Sequence, residues 1–499
     1  MIIKNMKKIF LSAAMLLSGL MGCRDLAEIN IDPNRVTETH PQLQLTQIQW
    51  DAFRYNGGTG PLYVMKMLVQ TDGESSGQYY KWDRSDFSAY SRMRDVTKMI
   101  EEAERINAPV YAALGKFFRA YYFFGLTMTF GDVPYSGSLQ GEKQDVYTPP
   151  VYDAQKEVFK GILAELDEAN TILAGENTII AGDIIYKGDV SKWQKLVNAF
   201  RLKVLLTLSK KEAEGDLNIK SAFANIVSSQ PIFTGNQDDA QLVFLDQQGN
   251  RYPDFNSSGF GSGMYIDSTF IRRLQDRKDP RLFVYCTQTK NAEDAGKAIN
   301  DFSAYEGGDP AAPYAEVNTK AARGNTSKVK DRYHKDPTTE PYVLLGYSEQ
   351  QLIIAEAIVR GWVSGNAVTY YNEGVKASFK FYETYAKGLS AYVTPEKAEA
   401  YLAEPINDFS KAVTTEEKIE KIVMQRYLRS YFQSGLTAFF DHLRTGYPSF
   451  RRPAGVSIPF RWMYPQAEYN TNTENVSAAI KTQFGEGNDR ISAQPWWVK

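Results

Sequence analysis

The chain has 499 residues, 43% of them hydrophobic and 23% charged, a composition that excludes disordered and fibrous classes. Its 57 Lys and Arg stand against 59 Asp and Glu, which argues against nucleic-acid binding, because phosphate contacts need an excess of basic side chains. Three His and two Cys are too few for a zinc cluster or a disulfide scaffold.

The first residues read as an export signal. Lys4, Lys7 and Lys8 precede an apolar run at residues 9–22 that is too short to span a bilayer. Leu20-Met21-Gly22-Cys23 then has the form of a bacterial lipobox, with a branched residue three before Cys and a small one beside it. The Cys23 sulfur is the acceptor for a diacylglycerol, so the chain is expected to be a peripheral lipoprotein held by acyl chains. Loss of residues 1–22 removes three Lys and no acid, leaving 54 basic against 59 acidic side chains. With Cys23 acylated, Cys286 has no disulfide partner and is expected to be a small buried apolar residue. Residues 23–41 read as the lipidated Cys and its tether, with Asp32-Pro33-Asn34 as a turn.

Helical spacing dominates the rest of the chain. Leu114, Phe117, Tyr121, Phe124 and Met128 form one stripe, stopped at Gly131-Asp132-Val133-Pro134. Trp193, Leu196, Val197, Phe200 and Val204 form a second, and Leu352, Ala355, Val359 and Trp362 a third. Ile419, Ile422, Val423, Tyr427 and Tyr431 make a fourth. The spacing predicts helix pairs at 88–106 with 110–130, 152–171 with 192–210, 349–361 with 366–384, and 415–432 with 434–445. The expected class is mostly α, with tetratricopeptide-like helix pairs, a large irregular lobe and few short strands. The helical repeat regions cover 42–228 and 348–445. The lobe covers 229–347, where Gly, Asn, Asp, Ser and Pro break the pattern and the run 241–245 reads as a strand. Residues 446–499 are an irregular segment with one helix at 474–483.

Several motifs then fall into one order. Ile29-Asn30-Ile31-Asp32-Pro33-Asn34 follows the lipobox, and Arg119-Ala120-Tyr121-Tyr122-Phe123-Phe124 runs into Phe130-Gly131-Asp132-Val133-Pro134-Tyr135. Trp193 through Asn198-Ala199 to Arg201-Leu202, and Ile354-Ala355-Glu356-Ala357 with Arg360-Gly361, come next. Arg461, Tyr464-Pro465, Glu468 and Asn472 close the series, with Trp496-Trp497 near the end. Together these motifs resemble the SusD/RagB family of outer-membrane nutrient-binding lipoproteins. The resemblance implies a lid on a TonB-dependent outer-membrane transporter (SusC-like), facing the cell exterior and holding an extracellular glycan or peptide for import. It also implies that the helix pairs face the transporter, that the lobe bears the ligand, and that no catalysis occurs.

Glycan capture needs flat rings for the C–H faces of sugars, with polar side chains around them. Tyr79, Tyr80 and Trp82 are the first candidates, Tyr252, Phe255 and Asn256 the second, and Tyr305 the third; the competing reading of each is a ring packed inward. Gly259-x-Gly261-x-Gly263 lacks the Lys-Ser/Thr of a phosphate loop and reads as a flexible turn. Gln237-Asp238-Asp239 lacks EF-hand spacing and reads as an exposed turn. Glu356, between Ala355 and Ala357, reads as a buried partner of Arg or of another helix rather than as a catalytic acid. His40, His334 and His442 show no ligand pattern, no Ser-His-Asp motif is visible, and no cofactor is expected. A surface glycoside hydrolase and a pure protein-interaction scaffold remain the alternatives from other classes.

Overall fold

In a computed structural model the described residues are 39–54, 57–144 and 146–499. The residues read from sequence as an export signal, as the lipidated Cys23 and as a turn at Asp32-Pro33-Asn34 lie outside them. Pro41–Lys499 forms one compact unit.

Helix α1 (Pro41–Arg54) leads to α2 (Ser88–Arg105) and α3 (Pro109–Phe130). Pro109 starts α3 where its missing N–H costs nothing. Gly131 ends it at φ +98, a conformation closed to other side chains, and a Cβ there would collide with Gln483 Oε1. Helices α4 (Gln155–Ala174) and α5 (Val190–Thr207) come next, the latter capped by the Asp189 carboxylate accepting from the Ser191 and Lys192 N–H groups. Each of α2 to α5 packs on its neighbour in the chain, so the apolar stripes bury one another.

The lobe is more ordered than the sequence suggests. It holds α6 (Ser268–Asp276) and α7 (Tyr314–Ala322), both too short to carry a periodic signal. α6 forms because Asp267 caps it, accepting from Thr269 and Phe270 N–H. The 241–245 run yields β2 (Ala240–Leu242), shorter than expected. It pairs antiparallel with β4 (Tyr342–Leu345), Leu242 opposite Tyr342. The second ribbon joins β1 (Leu68–Val69) to β3 (Tyr265–Ile266), Leu68 opposite Ile266. These two ribbons fasten the lobe to itself and to the segment before α2.

The second helical set is α8 (Tyr347–Val359) with α9 (Ala367–Tyr385), then α10 (Thr415–Leu428) with α11 (Thr437–Thr445). Thr414 and Glu417 form a capping box at the start of α10. Helix α8 packs on α5 as well as on α9 and α10, joining the two sets into one body. Helix α12 (Thr473–Phe484) comes last. All four expected pairs exist within a few residues of their sequence bounds. Among the described residues, no helix is long and apolar enough to cross a membrane.

Two smaller expectations change. Asp238 and Asp239 are buried, not exposed: Asp238 Oδ2 accepts from Thr234 N–H at 2.8 Å, and Asp239 Oδ1 accepts from Tyr347 N–H at 2.6 Å, so Asp239 braces the start of α8. The glycine-rich run lies in a short helix, Ser258–Gly263, rather than a loose turn. Cys286 is free and buried as expected.

Candidate functional site

The rings singled out from sequence are mostly core. Tyr79 is buried with its hydroxyl donating to Ala312 O at 2.9 Å. Tyr80 is buried, bonded to Val64 O. Trp82 stacks on Trp462 with centroids 4.4 Å apart and donates its indole N–H to Arg461 O at 3.0 Å. These contacts reach across more than 370 positions of sequence, so no local pattern announces them. Tyr252 is wedged between Phe244 and Tyr342, and Tyr305 is buried against Phe283. Phe255 is half-buried under Arg251, and Asn256 is exposed at φ +59. The three groups form no open platform: Tyr79, Tyr80, Trp82, Tyr252 and Tyr305 are buried, and none of them lines the cavity described next.

A cavity of about 330 Å³, the size of a small-ligand cleft, opens elsewhere. Phe53 of α1, Tyr121 and Phe124 of α3, Phe200 of α5, Tyr342 of β4 and Phe432 form its apolar wall. Phe440, Ser434 and Thr437 are half-exposed at the same cavity, and Asp86 and Ser88 are exposed. Tyr252 therefore contributes indirectly, by buttressing Tyr342. Tyr121, Phe124 and Phe200 belong to the helical stripes, where spacing cannot separate a core ring from a cavity wall.

The segment after α10 holds an unusual backbone. Phe432 at φ +56 and Ser434 at φ +64 lie in the left-handed region, which side chains rarely adopt without compensation. Gln433 supplies it. Its Nε2 donates to Glu340 Oε1 and Pro341 O at 2.8 and 2.9 Å, and its Oε1 accepts from Val343 N–H at 2.9 Å. Gly57 lies close by, where a Cβ would meet the Tyr342 ring.

Behind the cavity runs a buried ion network. Lys203 lines the cavity, donates to Thr437 Oγ1 at 3.1 Å and lies 3.0 Å from Glu349 Oε1. Arg429 reaches Glu349 Oε2 at 3.1 Å, and Arg426 lies 3.0 Å from Asp441. Arg444 grips both Glu356 oxygens and Asp441, and Arg360 adds a further bond to Glu356. Burial alone would raise the Glu356 carboxyl, yet Arg444 and Arg360 outweigh it and hold it at about 2. Glu349 is likewise held at about 2 against burial, by Lys203, Arg429 and Arg426. A carboxylate locked in its charged form has no proton to donate, so Glu356 is a brace between helices.

Residues 33–465 match the family described as starch-binding and associating with the outer membrane, SusD-like. The chain belongs to the SusD-like family. A SusD homologue from Bacteroides fragilis is 53% identical, covering 93% of this chain and 100% of its own, with a TM-score of 0.88. An outer-membrane protein from Bacteroides vulgatus, for which a part in nutrient binding has been suggested, is 52% identical over 92% of this chain and 100% of its own, also at 0.88. A chitin-binding protein is 25% identical over 92% and 100%, at 0.76. No curated protein matches.

In this SusD-like chain the C-terminal signature closes the fold. Arg461 pairs with Asp489 at 2.6 Å and donates to Phe130 O at 2.9 Å. The Tyr464 hydroxyl donates to Asp132 O at 2.7 Å, and Tyr152 donates to Glu468 Oε2 at 2.7 Å. Asn472 Nδ2 reaches Pro150 O at 2.9 Å. The motif thus fastens the late chain to the turn that ends α3.

Proposed function

We propose that this chain is a cell-surface lipoprotein, anchored through Cys23, that captures an oligosaccharide in the aromatic cavity and passes it to a TonB-dependent transporter without cleaving it. The observation that carries the reading is the family match across residues 33–465. The neighbour named as chitin-binding supports a glycan, and the cavity supplies suitable chemistry, rings at its wall and hydroxyls beside them. The helix pairs supply most of the cavity wall and the lobe takes part only through β4, so the ligand site proposed here is not the lobe-borne one that the family resemblance implies.

The test is calorimetry of the purified protein against a panel of neutral and acidic oligosaccharides, with a reducing-end assay alongside. Binding without new reducing ends is expected. Phe440→Ala, at a half-exposed ring, should weaken binding about tenfold, roughly 1.4 kcal/mol, with thermal unfolding little changed. Unchanged affinity in the folded variant would move the site elsewhere. Turnover would replace the binding reading with the hydrolase.

A further inference from the structure

A second cleft, of about 490 Å³, lies between α6 and the loop at 449–456. Arg273 of α6 and Arg451 and Arg452 of the loop line it. Acids elsewhere in this chain are placed close to arginine: Asp279 on Arg281, Glu340 on Arg332, Glu356 on Arg444, Asp489 on Arg461. Here only Asp309 pairs directly with one of the three guanidiniums, while the buried Asp267 carboxyl acts on Arg273 and Arg451 through charge alone. Asp309 holds Arg451 through two bonds, at 2.6 and 2.5 Å. Among the described residues, no carboxylate lies within 4.0 Å of Arg273 or Arg452.

Both of these guanidiniums are held in place by carbonyls, and Arg452 keeps a donor that no group among the described residues takes. Arg273 Nη2 donates to Ser449 O while Nη1 is buried without a partner, and the group lies 4.9 Å over the Tyr427 ring. Arg452 is exposed; its Nε donates to Val456 O at 2.6 Å and its Nη1 to Phe450 O at 3.2 Å, and Nη2 donates to no group among the described residues. The positive field reaches the interior behind the cleft. Burial pulls the Lys66 ammonium down, Asp267 opposes that, and Arg452 adds to the lowering. Burial, with Arg452 and Arg273, also lowers His442.

A neutral sugar gives such a cluster nothing to neutralise. Guanidinium forks match the paired oxygens of a carboxylate or sulfate, and half-dry surroundings strengthen that bond. Resting on the nutrient reading above, we propose that the cleft of Arg273, Arg451 and Arg452 is a subsite for the carboxylate or sulfate of an acidic oligosaccharide. The half-buried Thr269, which also lines the cleft, borders the sugar that carries the anion.

The experiment is calorimetry on the full-length protein and on Arg452→Ala and Arg452→Lys, each checked by thermal unfolding. The titrants are an oligogalacturonate, a carrageenan oligosaccharide (sulfated and free of uronate), a neutral chito-oligosaccharide and sodium sulfate alone. At least one acidic oligosaccharide should bind, weakening about tenfold in Arg452→Ala and less in Arg452→Lys, and weakening with added salt. The two acidic arms tell carboxylate from sulfate, and the neutral arm should not respond to either variant. Acidic affinity unchanged in Arg452→Ala, or neutral binding with no acidic binding, overturns the subsite and leaves the nutrient reading standing. Sulfate alone binding as tightly as either oligosaccharide also overturns it. Failure of every glycan to bind overturns both.

Discussion

Arg444 and Arg452 lie eight positions apart and meet opposite surroundings. Arg444, 5% exposed, faces Glu356 and Asp441 inside the helix body. Arg452 is exposed on a loop and meets only the carbonyls of that loop. Taking a guanidinium out of water costs several kcal/mol unless an acid compensates it. Inside, the acid is therefore part of the architecture. At the surface hydration removes that requirement, so an arginine with spare donors is free to serve a ligand.

The widest separation between the two regions should come from Arg444→Met. It leaves Glu356 with Arg360 and strands a buried charge, a loss of about 3–5 kcal/mol, read by urea unfolding. A loss near zero would erase the contrast. Acid should expose the same network next. Glu349 and Glu356, both held at about 2, lie below their ordinary value, so the stability they lend is present above about pH 4.5 and drains away towards pH 2. Each contributes on the order of 3 kcal/mol. Asp132 and Asp239 act in reverse, because burial pushes both up to about 7. Their contribution is complete below about pH 4 and is lost as pH rises to 7. Denaturation across pH 3–8 should therefore show greatest stability in mild acid, and Arg444→Met should flatten the acid limb.

How much of this could be read beforehand depends on range. The stripe through Leu114, Phe117 and Tyr121 and the stop at Gly131 are local, so α3 could be placed from its own residues. Glu356 was legible too, because an acid between two alanines in an apolar stripe needs a cation. Trp82 was not. Lys81 and Asp83 beside it are exposed, yet its ring is buried by Trp462, a partner far along the chain. The aromatic cavity was hidden for a related reason: its rings share stripes with core rings. The basic cleft depends on which arginine Asp309 takes, and that is settled only when the segment carrying Asp309 meets the loop at 449–456.

The smallest expected effect sharpens the surface half of the contrast. The Arg451–Asp309 pair is exposed, 54% and 39% by side chain, so Asp309→Asn should change stability by less than about 1 kcal/mol. It also releases a guanidinium, and the acidic oligosaccharide should bind about threefold tighter. A stability loss matching that of Arg444→Met would show that this pair, too, is architecture.

The closure of the α3 turn by Arg461, Tyr464 and Gln483 bears on biogenesis. An early hairpin that waits for residues more than 330 positions later in the chain cannot be finished until those residues have left the ribosome. Chains cut short by a premature stop leave the Phe130 and Trp82 rings uncovered, a flag that proteases recognise. Complete chains conceal it.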